Sequence, residues 1–317
     1  MPILERDPWR FQYFEAVPCP AHVQIPTDDP DCWTLYPRYR WIYNKLMMAE
    51  SQGVPCGPHG VLPQHYPVFS KPIFNLKGMG VGSTIICNAE MMSVLYRPGH
   101  FWMELFGGDH VSTDCAVVDG EVRWLRHASG IAGDGGTFEC WTIEAGTRPK
   151  LDSKIQDWVK RHMAGYTGMM NVESIGGGLI EAHLRFADQW CDLYGPGWVQ
   201  ALVKLYAEGV WDFDDSKRRR GFSIPLFAEH AAQFAHPPED LQRKVRMMRG
   251  IKSLQITFHE TKDAALHAMP PGGFRLAVIN ATHLNAGLAA RDELSRAYPG
   301  VRMLHELNRA QIPLEVA

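Results

Sequence analysis

The residues with the clearest chemical potential lie in the segment 167–185, where polar and charged side chains fall at alternating positions. The side chains with this spacing are Asn171, Glu173, Glu181, His183 and Arg185. Side chains two apart on a strand share a face, so a β-hairpin here gathers two carboxylates, an imidazole and a guanidinium on one surface. The glycines at 176–178 supply the turn, because short hairpin loops need positive φ angles.

Oxygen and imidazole ligands beside an arginine suit a divalent cation that carries a nucleotide triphosphate. Mg²⁺ would neutralise phosphate charge while the arginine grips the anion. The first carboxylate or amide ligand depends on the hairpin register, which leaves Asn171 and Glu173 as alternatives. The other interpretation of the whole segment is a solvated strand face, since surface strands often alternate charged and apolar residues.

A second feature is the glycine-rich segment 77–83, which follows a short apolar strand that carries Lys71. Glycines allow backbone N–H groups to close on phosphate oxygens, and a lysine adds a mobile positive charge. The spacing of Gly78, Gly80 and Gly82 fits neither a P-loop nor a dinucleotide fingerprint. Alone, the segment is equally typical of a flexible hairpin tip.

The length, composition and charge of the chain limit the classes of protein to which it can belong. With 317 residues, 45% of them hydrophobic, the chain predicts two or three lobes, each with its own core. A net charge of −3 provides no broad basic field, so nucleic acid is not an expected partner. No segment is apolar and long enough to cross a bilayer, and no secretory leader is recognisable, so we expect a cytoplasmic protein without membrane contact. Seven scattered cysteines without a CxxC pair predict reduced thiols.

The elements that must position these residues follow from periodicity and turn signals. Residues 1–40 predict an extended arm with a turn at 28–31, and 41–52 predict a helix closed by Gly53. Phe101–Phe106 and Val111–Val118 predict paired strands. In the last third, strands alternate with helices, which describes a small α/β unit. The strands there are 254–258, 274–279 and 301–304, and the helices are 262–269 and 284–297.

The order of the motifs is more specific than any one of them. In sequence they are Asn44-Lys45, Gly53-Val54-Pro55, Tyr66-Pro67-Val68, Lys71-Pro72, the glycine segment, Met103-Glu104-Leu105-Phe106, Asp109-His110-Val111, Asp119-Gly120-Glu121 and the run Glu181 to Asp188. Over about residues 41–210 this order resembles the ATP-grasp superfamily, and within it the biotin carboxylase and glycinamide ribonucleotide synthetase branches.

The resemblance implies a mixed α/β (α+β) fold with the two lobes of an ATP-grasp enzyme. It implies an N-terminal arm (1–40), a small lobe with the glycine loop (41–100), a large lobe with the metal and phosphate hairpin (101–210) and a C-terminal α/β unit (211–317). It implies ATP with Mg²⁺ or Mn²⁺ as the bound groups.

Residue by residue, the resemblance implies phosphate contacts for Lys45 and Lys71, and a loop folding over the phosphates. That loop includes Lys77, Gly78, Gly80 and Gly82. The backbone of Glu104, Leu105 and Phe106 would read the adenine edge, and His110 would lie near the nucleotide.

For the metal, the resemblance implies Glu173, Glu181 and His183 as ligands, with Arg185 contacting a phosphate or the reacting intermediate. Lys71 and Arg185 would then be the catalytic cations.

Two departures from the family pattern bear on function. Members usually have asparagine where this chain has His183, and Mg²⁺ accepts an imidazole less readily than Mn²⁺ or Zn²⁺ does. Lys45 also comes too early for a complete N-terminal α/β domain, so the arm, the C-terminal unit or another subunit must supply those contacts. A homodimer would be one way to do so.

The function that we expect is an ATP-dependent ligase that joins a small-molecule carboxylate to an amine through an acyl phosphate. The alternatives are a nucleotide-binding or regulatory module without catalysis, motivated by His183, and a small-molecule kinase on the same fold.

Overall fold

The computed structural model describes residues 3–76, 78–231 and 233–305. The strands are β1 (Ile3–Leu4), β2 (Ile25–Pro26), β3 (Cys56–Pro58), β4 (Val68–Pro72), β5 (Thr84–Ile86), β6 (His100–Glu104), β7 (His110–Val118), β8 (Glu121–Ala132), β9 (Phe138–Ile143), β10 (Gly168–Ile175), β11 (Gly178–His183), β12 (Gly221–Ala228), β13 (Ile251–Ile256) and β14 (Phe274–Ala281). The α-helices are α1 (Asp29–Leu35), α2 (Lys45–Glu50), α3 (Ala89–Val94), α4 (Pro149–His162), α5 (Trp198–Glu208), α6 (Glu239–Arg246) and α7 (Leu284–Ser295).

The chain forms two compact units. The central unit holds Asp28–Leu125 and Arg148–Phe186, and the terminal unit holds the described residues up to Thr27, Arg126–Thr147 and the residues from Ala187 onward. The finer division at residues 40, 100 and 210 stays a prediction. Among the described residues, no helix is long and apolar enough to span a membrane.

A small antiparallel sheet in the central unit has the strand order β3-β6-β4-β5. The prediction that strands 101–106 and 111–118 pair with each other is wrong, because β6 pairs with β3 and β4 whereas β7 pairs with β10. The connection between them contains Gly107 and Gly108 and is too long for a two-residue hairpin turn. It carries the chain from one sheet to another.

The second sheet of the central unit runs β11-β10-β7 and continues into the first part of β8. Its hairpin is the one predicted from the alternating residues, with Gly176 and Gly177 at φ 55° and 83° in the turn. One face packs against α4 in a core that includes Ile155, Trp158 and Val172. Because side chains alternate along a strand, the residues between those core positions lie on the other face.

Helix α1 replaces the turn predicted at residues 28–31. The Asp28 side chain accepts a hydrogen bond from the Asp31 backbone N–H at 2.8 Å, and Pro30 lies in the first turn of the helix. An aspartate cap followed by proline is a helix start, since the cap satisfies an unpaired N–H and proline needs none. The extended arm therefore ends in a helix, and that helix brings Asp29 into the interior.

The terminal unit is built on antiparallel strands in the order β9-β12-β14-β13, with α7 against them. The predicted strands at 254–258 and 274–279 and the helix at 284–297 are confirmed, with shifted ends, as β13, β14 and α7. Two predictions are wrong: 262–269 has only a 3₁₀ turn at Ala264–Leu266, and 301–304 contributes only a bridge between Met303 and Ala228.

Candidate functional site

The predicted metal ligands come together on the polar face of the β10–β11 hairpin. Glu173 lies directly opposite Glu181, and the next pair on the same face is Asn171 with His183. One ligand atom from each of Glu173, Glu181 and His183 lies within 4.8 Å of the others. Two carboxylates and an imidazole suit Mn²⁺ or Zn²⁺ well, and Mg²⁺ less readily. The donor set therefore fits a divalent cation.

The register decides between the two alternatives left open for the first ligand. Asn171 is buried, and its amide donates to Ser112 Oγ at 2.8 Å and to Asp114 Oδ1 at 2.7 Å. Its amide nitrogen therefore forms its hydrogen bonds with side chains of β7. Glu173 is the residue whose carboxylate faces Glu181, so it is the candidate ligand.

Lys45 begins helix α2 and forms an ion pair with Glu181 Oε2. Burial alone lowers the pKa of the lysine, but the carboxylate more than offsets this and raises it. Burial likewise raises the pKa of Glu181, yet Lys45, His183 and Lys71 together lower it below its ordinary value. Both groups are therefore ionised at neutral pH, although little of either side chain is exposed.

Lys71 reaches the same hairpin from the small sheet. It lies on β4, is 7% exposed, and its Nζ donates to the backbone carbonyl of Ile180 at 2.8 Å. Burial lowers the pKa of Lys71 to about 8, since a carbonyl stabilises an ammonium less than a carboxylate would. Lys45 and Lys71 thus place two cations beside the acidic cluster.

His110, the first residue of β7, completes this face. Its Nε2 lies 2.9 Å from Glu173 Oε2. Burial lowers the pKa of the imidazole, but the hydrogen bond and charge of Glu173 outweigh burial and raise it. His110 therefore holds the Glu173 carboxylate in place.

Asp29 contacts two of the predicted site residues and was not predicted from the sequence. Its Oδ2 lies 2.9 Å from His183 Nδ1, and its Oδ1 accepts from Arg185 Nε at 3.1 Å and from Tyr43 OH at 3.3 Å. Burial alone raises the pKa of this carboxyl, but Arg185 and His183 lower it well below its ordinary value. With Nδ1 of His183 engaged by Asp29, Nε2 is the nitrogen on the side of Glu181, 3.9 Å from its Oε1.

Arg185 is held firmly at the end of the hairpin. Besides the bond from Nε, its Nη2 donates to Asp29 Oδ2 at 3.4 Å and its Nη1 to the carbonyl of Phe186 at 3.3 Å. The side chain is 23% exposed, so part of the guanidinium can still meet solvent or a ligand. Asp29 thus orients both His183 and Arg185.

The other predicted site residues lie on the small sheet and its loops. Gly78, Gly80 and Gly82 all have positive φ, and the loop is braced by Asn75, whose amide donates to the Gly78 carbonyl at 2.8 Å. Lys77 lies outside the described residues. None of the loop's hydrogen bonds to described residues reaches the acidic cluster.

The predicted adenine-reading segment follows the end of β6. Glu104 is the last residue of the strand and is exposed, whereas Leu105 and Phe106 are half-buried. The Phe106 ring lies over Gly178, where a Cβ atom would come within 2.4 Å of it. The segment therefore packs against the turn of the β10–β11 hairpin.

Comparison with solved structures identifies the fold. Over 94% of this chain and 84% of the other, an L-amino acid ligase from Bacillus licheniformis superposes with a TM-score of 0.64 at 11% identity. Phosphoribosylamine–glycine ligase from Thermotoga maritima gives 0.60 at 13% identity, covering 92% of this chain and 87% of that one. N5-carboxyaminoimidazole ribonucleotide synthetase from Thermus thermophilus gives 0.56 at 16%, covering 94% and 81%. The chain has the ATP-grasp fold.

The predicted resemblance and the mixed α/β class are thereby confirmed at the level of the fold. No protein-family model and no curated protein sequence matches the chain. Other ATP-grasp structures with this likeness hold nucleotides: one carboxyaminoimidazole ribonucleotide synthase is complexed with ATP, and a biotin carboxylase domain from Hydrogenobacter thermophilus holds MgADP. At these identities the likeness defines the architecture of the chain.

Proposed function

We propose that the protein is an ATP-dependent ligase that activates a small-molecule carboxylate as an acyl phosphate and transfers the acyl group to an amine. The observation that carries this is the placement of Lys45 and Lys71 beside the Glu173, Glu181 and His183 cluster within one unit of an ATP-grasp fold. Cations and metal-ligating carboxylates on one face are what a triphosphate requires.

The lysines and the acidic cluster have complementary roles. Mg²⁺ or Mn²⁺, held by Glu173, Glu181 and His183, would neutralise phosphate charge when bound. Lys71 Nζ donates to a backbone carbonyl and pairs with no carboxylate among the described residues, so its charge is available to a phosphate oxygen. Lys45 forms an ion pair with Glu181 and provides the second cation.

The reaction that this site would support proceeds in two displacements. A carboxylate oxygen of the substrate attacks the γ-phosphorus, the bond to the β,γ-bridging oxygen breaks, and ADP leaves. The amine nitrogen then attacks the acyl carbon, the bond to the phosphate oxygen breaks, and inorganic phosphate leaves while the nitrogen loses a proton to solvent. Arg185, kept in position by Asp29, would stabilise the charge on the acyl phosphate.

The experiment that tests this is ADP release with pooled carboxylic acids and amines, followed by isotope tracing on the active pair. With both carboxylate oxygens labelled with ¹⁸O, one label should appear in inorganic phosphate. Hydroxylamine in place of the amine should yield a hydroxamate. ADP release with amide formation but no ¹⁸O in inorganic phosphate would contradict the acyl phosphate.

A nucleotide-binding module without catalysis is the second candidate, and His183 is the observation that favours it. The imidazole is tied to Asp29 and stands where ATP-grasp enzymes usually have an amide. Metal–nucleotide binding without ADP release across a broad panel would establish this candidate. ADP release with an acceptor alone, followed by accumulation of a stable phosphate ester, would instead indicate a kinase.

A further inference from the structure

A cavity of about 680 Å³ lies in the central unit beside the glycine turn of the β10–β11 hairpin, and no residue of the acidic cluster lines it. It is formed by the first turns of helix α4, the start of β7 and the glycine turn between β10 and β11. The residues that define it, here called the α4 groove, are Asp109, Arg148, Lys150, Leu151, Lys154 and Gly177. The volume is in the range of small-molecule sites.

The charges around the α4 groove are unbalanced. Three cationic side chains face one carboxylate, Asp109, whose Oδ2 lies 3.2 Å from Arg148 Nη1. Lys154 Nζ donates to the carbonyl of Gly177 at 2.7 Å, which is a neutral acceptor. Among the described residues neither Lys150 nor Lys154 forms an ion pair. Asp152, the other nearby carboxylate, accepts from the Arg148 backbone N–H at 3.3 Å.

The floor of the α4 groove is apolar. Val111 and Leu151 line it, and both belong to the buried core between α4 and the sheet. Pro149 adds a third apolar surface at the start of the helix. A cationic rim above an apolar floor is complementary to a molecule with an anionic group on an apolar body.

The α4 groove also contacts two segments beside the proposed nucleotide site: the segment that follows β6 and the glycine turn between β10 and β11. The Gly176 backbone N–H donates to the Asp109 carbonyl at 3.0 Å, and a Cβ atom at position 176 would lie 2.1 Å from the Gly107 carbonyl oxygen. The glycine turn is thus packed directly on the segment that follows β6. Arg148 pairs with Asp109 in the segment that follows β6, and Lys154 donates to Gly177 in the glycine turn. A ligand that binds Arg148 and Lys154 therefore contacts a residue paired with each of these segments.

We propose that the α4 groove is a binding site for a small organic anion, a phosphate or carboxylate carried on an apolar body. It is separate from the proposed catalytic face, because its residues approach the hairpin from the α4 side. Because binding does not require turnover, a failure of the ligase proposal would not contradict this inference.

The test uses 1-naphthyl phosphate as the probe, titrated into the whole protein by calorimetry with a non-hydrolysable ATP analogue and Mn²⁺ in excess to block the nucleotide site. We expect one site with a dissociation constant in about the micromolar range, and much weaker binding of neutral 1-naphthol. Absence of saturable 1-naphthyl phosphate binding would overturn the proposal.

Three variants locate the site. Lys150→Gln removes an exposed charge that forms no ion pair with a described residue, and we expect binding weakened by about fivefold. Combined with Lys154→Gln, the loss should reach about tenfold or more. Lys160→Gln, an equal charge change in the last turn of the same helix, should leave binding unchanged. Equal weakening in the Lys160 variant, or none in the double variant, would contradict the assignment.

Hydrogen exchange provides a readout that does not depend on the variants. Bound probe should slow exchange of backbone amides at 107–111, 148–154 and 176–178. Protection confined to other segments of the chain would place the probe elsewhere and reject the groove.

Discussion

Asp29 Oδ2 lies 2.9 Å from His183 Nδ1, and both side chains are almost completely buried. The same carboxylate also binds Arg185, so one aspartate from helix α1 sets the orientation of two residues on strand β11 and just beyond it. A carboxylate on the far nitrogen of an imidazole fixes which nitrogen faces a metal. Asp29 is therefore a positioning residue for the candidate site.

Replacing Asp29 with asparagine should impair the site without directly removing a ligand. The variant leaves Arg185 without its anion and weakens control of the His183 tautomer, so we expect Mn²⁺ affinity to fall by about tenfold. The melting temperature should also fall, because breaking a fully buried ion pair costs about 3–5 kcal/mol. The partial exposure of Arg185 makes the cost smaller here. Mn²⁺ titration by electron paramagnetic resonance and thermal melting measure the two effects. Glu50→Gln, at an exposed carboxylate ending α2, is the control and should change neither.

Replacing Glu181 with glutamine should abolish turnover, with ADP release reduced by at least about 100-fold, because the cluster loses its central carboxylate. It should also lower stability, because Lys45 is left buried without its anion. The double variant Lys45→Met with Glu181→Gln should recover part of the melting temperature and none of the activity. Recovery of activity in the double variant would show that Glu181 serves only to neutralise Lys45.

The low pKa of Lys71 predicts how nucleotide binding depends on pH. The ammonium titrates at about 8, so above that pH the free protein holds a neutral amine that attracts phosphate poorly. Binding of an ATP analogue should weaken by up to about tenfold between pH 7 and pH 9, with net proton uptake near pH 8. Calorimetry in two buffers of different ionisation enthalpy measures both. Lys71→Met should bind more weakly at pH 7 and lose this pH dependence.

The imidazole of His183 predicts a metal preference. We expect Mn²⁺ to support nucleotide binding at concentrations about tenfold lower than Mg²⁺, since imidazole is a better ligand for Mn²⁺ than for Mg²⁺. His183→Asn should reduce the difference between the Mn²⁺ and Mg²⁺ concentrations that nucleotide binding requires, because it places an amide oxygen at this position. Nucleotide titrations at a series of Mn²⁺ and Mg²⁺ concentrations would reveal this, and an unchanged ratio in the variant would exclude His183 from the metal site.

The hairpin could be predicted from sequence because its information is local. Alternating polar residues predict that Glu173 and Glu181 share one face, and three consecutive glycines predict the turn, whereas the register that pairs Glu173 with Glu181 comes from the structure. Asp29 could not be found in this way, because it meets His183 across 154 residues and only after α1 has packed. Its neighbours Asp28 and Pro30 indicate a helix start and say nothing of what the helix contacts.

The other errors also have physical causes. Strand β12 is not among the strands predicted from the sequence, because it is buried along its whole length and therefore lacks polar alternation, and it contains Pro225, which is rare inside strands. The predicted pairing of β6 with β7 follows from their proximity in sequence, whereas β6 pairs with β3 and β4, and β7 pairs with β10 and β8. Tertiary packing decided both cases.

The most direct test of the central claim is calorimetric titration of a non-hydrolysable ATP analogue into the protein in the presence of Mn²⁺. Wild type should bind one equivalent, metal removal should weaken binding by about tenfold or more, and Glu173→Gln with Glu181→Gln should reproduce that loss with metal present. Glu121→Gln, at an exposed carboxylate on β8, should bind as wild type does. Equally tight binding with and without metal, unaffected by loss of both glutamates, would contradict the account.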